Sequence, residues 1–179
     1  MRDRIITDRE SFAISRPLPG ASAVHAGRRS APPLRSDAHH AMDFEQARFN
    51  MVEQQIRPWE VLDFGVLDVL MSVRREEFVP EAYKGVALSE AEIPLGHGGS
   101  MLIPVIEGKV LQAVQVKRSD KVLEIGAGSG YFAALLAAKA DWVRTVDIEP
   151  ALASMAHDNL KRYGVENVIV EEGDAICGW

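Results

Sequence analysis

The stretch at residues 121–131, K-V-L-E-I-G-A-G-S-G-Y, constrains the chain more than any other. Val122, Leu123 and Ile125 lead into three glycines at alternate positions, Gly126, Gly128 and Gly130. A helix-forming run, F-A-A-L-L-A-A at residues 132–138, follows at once. That order predicts a strand, a tight turn and a helix. Glycine lets the backbone turn sharply and lets a ligand come close. The start of the helix points unpaired N–H groups at whatever sits in the turn. The next apolar run, residues 142–146, ends in Asp147. An acid about 20 residues past the first glycine is where a βαβ unit places a carboxylate against a ribose. The bland alternative is a turn whose glycines only make room for packing. The preceding strand, the following helix and the acid together favour ligand binding over it.

The spacing is G-x-G-x-G rather than the G-x-G-x-x-G of dinucleotide binders, and Glu124 two residues before the first glycine is also foreign to that fingerprint. A dehydrogenase is therefore the weaker alternative. The pattern E-I-G-A-G-S-G-Y resembles motif I of the class I S-adenosylmethionine-dependent methyltransferases. The resemblance implies an α/β, Rossmann-like fold with S-adenosyl-L-methionine as cofactor. It implies that Glu124, Gly126, Gly128 and Gly130 line the cofactor, and that Asp147 holds the ribose hydroxyls.

Residues 1–41 have a different composition. Seven arginines against four acids leave +3 there, so the remainder of a chain of net charge −6 carries −9. No helical or strand period is sustained, and such a segment buries too little surface to offset its ordering entropy. The expectation is a disordered leader outside the fold, with Met42 an alternative start. From residue 42, M-D-F-E-Q-A-R-F-N-M-V-E-Q-Q-I has loose helical spacing until Pro58 stops it. A second helix is expected over residues 63–73.

A second resemblance then emerges. The runs Q-Q-I-R, V-L-D-V-L-M-S-V-R-R-E-E-F-V-P and I-P-L-G-H-G-G-S-M-L-I-P are similar to the N-terminal part of the protein-L-isoaspartate O-methyltransferases. With the glycine stretch they cover most of residues 50–150. Two positions depart from that family's pattern. Arg74 stands where the family has the first proline of V-P-R-E-x-F-V-P. In the loop G-Q-T-I-S-x-P, the serine that lies beside the substrate carboxylate falls on Leu102. Ser100, two residues earlier, is the candidate hydroxyl in its place.

Residues 104–116 read as a helix and K-R-S-D at 117–120 as a turn into the first strand of the sheet. Residues 149–163 read as a helix capped by Gly164, and 167–171 as a third strand. The resemblance places an acid that binds the adenine edge just past this strand, and Asp174 matches; the plain alternative is a polar turn residue. It also implies seven strands, of which three are found. The expectation is an incomplete parallel sheet: an N-terminal helical and loop region at 42–118, then the cofactor-binding half at 119–179, in a fragment or a truncated product. In the order 3-2-1 the first strand is an exposed apolar edge, open to self-association.

Methyl transfer to a carboxylate oxygen asks little acid–base help, because a carboxyl with a pKa near 4 is already ionised at neutral pH. The enzyme must supply in-line approach and exclude water. The resemblance implies repair: methylating an isoaspartyl carboxylate makes a better leaving group, so a succinimide forms and reopens to aspartate. The implied partner is a protein or peptide with isoaspartyl residues. The alternative is a catalytically inactive, methyltransferase-like binding module. The negative balance argues against a general nucleic-acid binder. No apolar run approaches the ~18 residues of a membrane span, and no signal-peptide core opens the chain. The single cysteine, Cys177, leaves no intrachain disulfide and no metal-spaced neighbours, which fits a cytoplasmic protein. His97 and His157 read as structural or solvated.

Overall fold

The computed structural model describes residues 43–178; the leader expected at residues 1–41 lies outside the described residues. Asp43 opens the first helix, α1 (Phe44–Asn50), by accepting from the N–H groups of Glu45 and Gln46. The helix runs on through a wider turn, Met51–Ile56, and a tight one, Arg57–Trp59, that contains Pro58. Proline lacks the N–H a helix needs, so the winding ends there, as its position predicts. Asp63 caps α2 (Phe64–Ser72) through the Val66 N–H. The buried side chains Met51, Val52, Ile56, Val61, Leu67 and Leu70 form the helical end of the core.

A segment read from the sequence as an extended loop is a β-hairpin: β1 (Ile93–Gly96) pairs antiparallel with β2 (Gly99–Met101). His97 and Gly98 connect them, both with positive φ, at 51° and 80°. Two residues of positive φ match the right-handed twist of the flanking strands, which is why this turn closes a hairpin. Pro104 then starts α3 (Pro104–Val114), as expected for proline in a first turn.

The second half is a parallel sheet with spatial order β3 (Lys121–Ile125), β4 (Trp142–Asp147), β5 (Val168–Glu172). Two helices link them, α4 (Tyr131–Ala137) and α5 (Pro150–Tyr163). The strand expected at 167–171 is displaced by one residue. Asn167 instead donates its side-chain amide to the Ala137 carbonyl at 3.0 Å, satisfying the end of α4. The register sets Val122 beside Val143 and Val143 beside Val168, so one face of the sheet is a valine surface against the helices. Six of the seven residues of α4 are buried, and its three alanines let it lie close to that surface.

The opposite face is largely uncovered among the described residues, although Val146 on it is buried. Leu123, Ile125, Trp142 and Ile169 are all exposed there, with Ile125 at 68%. Parallel sheets are ordinarily covered on both faces. β3 has one neighbour, β4, and its other edge is open among the described residues, as the expected strand order implies.

Arg74 also has a structural account. Its backbone N–H donates to the Tyr163 hydroxyl at 3.0 Å, and its guanidinium lies 5.5 Å from the centre of that ring. Proline could make neither contact.

Candidate functional site

The site forms where the C-terminal ends of β3 and β4 meet the glycine turn. The ladder runs on past β3, because the Gly126 N–H donates to the Val146 carbonyl at 2.7 Å. Gly126, Gly128 and Gly130 then take φ of 99°, 51° and 82°. These left-handed values are costly for any residue with a Cβ. The Gly130 N–H returns to the Ala127 carbonyl at 2.8 Å and closes the turn. The Asn159 side chain of α5 donates to the Ser129 carbonyl at 2.9 Å, so two helices hold the turn in shape.

Asp147 ends β4 beside this turn. Its Oδ2 accepts from the Gly128 N–H and its Oδ1 from the Glu149 N–H, each at 3.0 Å. The carboxylate is thus oriented by backbone and buried at the mouth of the turn. Glu124, near the end of β3, is half-buried as a residue, but its Oε2 is shut from solvent without a hydrogen-bond partner. Burial pushes its carboxyl up to about 8; the Thr145 hydroxyl on the neighbouring strand pulls the other way, and the nearby negative charge of Asp147 adds to the rise. An unpartnered buried oxygen costs free energy until a donor reaches it.

The hairpin lies against this turn. A Cβ on Gly128 would stand 3.4 Å from Leu95 Cδ1, and one on Gly99 2.7 Å from Leu152 Cδ1. His97 Nδ1 is 3.7 Å from Glu149 Oε1. The turn histidine therefore meets the start of α5, while His157 is solvated beside Asp158. Ser100 points outward from β2, and its hydroxyl is 3.4 Å from Glu92 Oε2. Leu102 follows the hairpin and is 46% exposed. Asp174 lies past β5, where its carboxylate accepts from the Ile176 N–H at 2.9 Å and caps a short turn.

The geometry brings together Glu124, Gly126, Gly128, Gly130 and Asp147. An adenosyl cofactor fits what they offer: no neighbour within 4 Å of the Cβ position on Gly126, a backbone-held acid for hydroxyl donors, and a buried carboxyl oxygen without a donor. Sequence reasoning passed over Arg75 and Glu107, an ion pair buried among α3 and the segment after α2. Both are charged, and although Arg75 lies in the run R-R-E-E-F-V-P that carries the resemblance, nothing in either residue type marks it for burial.

A parallel sheet with a glycine turn after its first strand and an acid ending its second is the Rossmann-like architecture of the class I methyltransferases. Two solved structures share the fold. One, from Plasmodium falciparum, is described as a protein-L-isoaspartate O-methyltransferase in complex with S-adenosyl-L-homocysteine; it has a TM-score of 0.60 at 17% identity and covers 74% of this chain and 63% of that one. The other, a protein-L-isoaspartate O-methyltransferase, has a TM-score of 0.61 at 24% identity, over 73% of this chain and 42% of that one. The family model for protein-L-isoaspartate(D-aspartate) O-methyltransferase matches residues 46–179, and the chain belongs to that family. Among its relatives, protein-L-isoaspartate O-methyltransferase 1 of Rhodopseudomonas palustris is 40% identical over 83% of this chain and 59% of its own length. The Petrotoga mobilis relative is 37% identical over 77% and 65%, and the Opitutus terrae one 40% over 79% and 62%. The chain spans about three-fifths of the length of these relatives.

Proposed function

We propose that the chain carries the cofactor-binding half and part of the substrate side of an S-adenosylmethionine-dependent carboxyl methyltransferase that acts on isoaspartyl residues of damaged proteins. The observation that carries this reading is the Asp147 carboxylate held by the Gly128 N–H across the glycine turn. In this reading Gly126, Gly128 and Gly130 let the cofactor approach the backbone, Asp147 takes its ribose hydroxyls, Glu124 accepts from a donor of its amino-acid part, and Asp174 lies towards the adenine. The cofactor, when bound, supplies an electrophilic methyl group on a sulfonium. The chain's own work is to bind, orient and exclude water, since the substrate carboxylate is already ionised at neutral pH. Ser100 is the candidate hydroxyl on the substrate side. The setting is taken as cytoplasmic, in keeping with a single cysteine.

A second reading, a binding module without turnover, is favoured by one observation. The exposed Leu102 stands where the resemblance calls for a serine, and the Ser100 hydroxyl faces Glu92 instead. Calorimetric titration with S-adenosylmethionine and with a nicotinamide dinucleotide, followed by methylation of an isoaspartyl peptide, separates the readings. Binding of the first ligand with methyl transfer supports the enzyme. Binding without transfer supports the module. Preference for the dinucleotide overturns both.

A further inference from the structure

Arg75 is fully buried, and its guanidinium serves three separate segments. Nε donates to the Ala87 carbonyl at 2.8 Å. Nη1 pairs with Glu107 of α3. Nη2 donates to the Leu102 carbonyl at 2.7 Å. The guanidinium carbon lies over the Tyr131 ring, 5.1 Å from its centre. Tyr131 is the first residue of α4, directly after Gly130 of the cofactor turn.

Burying a guanidinium costs several kcal/mol unless its donors are satisfied with good geometry. A contact of purely structural use could be replaced by apolar packing at little cost. What apolar side chains cannot reproduce is directionality. The planar fork reaches a particular carbonyl on the substrate-side loop while its charge sits over the ring that begins the cofactor helix.

We propose that Arg75 is a positioning residue, fixing the loop at Leu102 to the start of α4 and so setting the substrate side against the methyl donor. This rests on the function proposed above. Through the same guanidinium, α3 and the Ala87 segment become the frame on which that loop is held. Arg75 touches neither cofactor nor substrate and acts through the Leu102 carbonyl.

The test uses the whole chain as wild type, as Arg75→Lys, and as the paired variant Arg75→Met/Glu107→Leu. The paired variant replaces both members of the ion pair, which preserves folds that removal of one partner damages. Amide hydrogen exchange is read at residues 99–103 and in α4, with S-adenosyl-L-homocysteine affinity measured alongside. In the paired variant the loop is expected to exchange at least about tenfold faster, with α4 and ligand affinity within about twofold of wild type. Arg75→Lys, which keeps the charge but loses the fork, should fall between. Unchanged loop exchange overturns the proposal, as does equal loosening of loop and α4. An isoaspartyl peptide that binds the ligand-loaded wild type and binds the paired variant more weakly supports the positioning role. Equal peptide affinity despite a loosened loop overturns it. A wild type that binds no isoaspartyl peptide sinks the proposed function instead, and the exchange data then decide the tie between Arg75 and the loop.

Discussion

Asp147 and Glu124 are acids on adjacent strands with opposite surroundings. Asp147 has both oxygens occupied by backbone N–H groups. Asp147→Ala is expected to weaken S-adenosylmethionine binding by about 1.5–3 kcal/mol, through loss of a charge-assisted hydrogen bond and a looser turn. Titration of both proteins checks this, and superimposable curves count against the assignment. Glu124 titrates near 8 in the fold, whereas an unfolded glutamate titrates near 4.3. Between those values the folded chain holds a proton that the unfolded chain releases, so stability falls as pH rises through that window. Burial pushes Glu107 up to about 7 against the pull of Arg75, and it acts in the same sense. Glu124→Gln should therefore flatten, without abolishing, the decline of Tm between about pH 5 and pH 8. Thermal melts across that range decide it; parallel curves for the two proteins would remove Glu124 from the account.

At the scale of elements, the glycines of the turn do different jobs although they look alike in sequence. A Cβ on Gly130 would meet Leu160 Cγ at 3.0 Å and the Ala156 carbonyl oxygen and Cα at 3.1 and 3.2 Å. Backbone cannot step aside cheaply, so Gly130→Ala combines left-handed strain with overpacking between α4 and α5. A loss of about 2–4 kcal/mol is expected in urea unfolding. Gly126→Ala has only strain to bear, about 1–2 kcal/mol, because nothing lies within 4 Å. Its larger effect should be on ligand affinity. Equal destabilisation by the two substitutions would contradict this division. Strand β3, the turn and helix α4 were legible because their signals are local: an apolar run, alternate glycines, then alanines and leucines. The hairpin at residues 93–101 was less legible. Its strands are four and three residues long, and the signal that closes it is a His-Gly pair held at positive φ.

For the molecule as a whole, the exposed apolar face and open edge of β3 are the features from which a solution property can be predicted. Leu123 and Ile125 stand exposed beside unpaired backbone groups, which is a template for pairing with another chain. The chain is expected to self-associate in sedimentation velocity runs, and Ile125→Lys should shift it towards monomer by placing a charge on that edge. A wild-type chain that sediments as a monomer would remove the argument. The proposed cofactor half of the candidate site was written locally: strand, glycine turn and acid lie within 27 residues, from Lys121 to Asp147, and each follows from its own residue type. The strand order, which follows from the resemblance, also emerged as expected. Only the tertiary structure decided that Arg75, Glu107 and Tyr131 meet, that the hairpin rests on the glycine turn, and that Ser100 faces Glu92. Apart from the local Ser100–Glu92 contact, these join residues far apart in the chain, and side-chain burial at such distances leaves no periodic trace in the sequence. A charged residue destined for the core looks the same, residue by residue, as one destined for water.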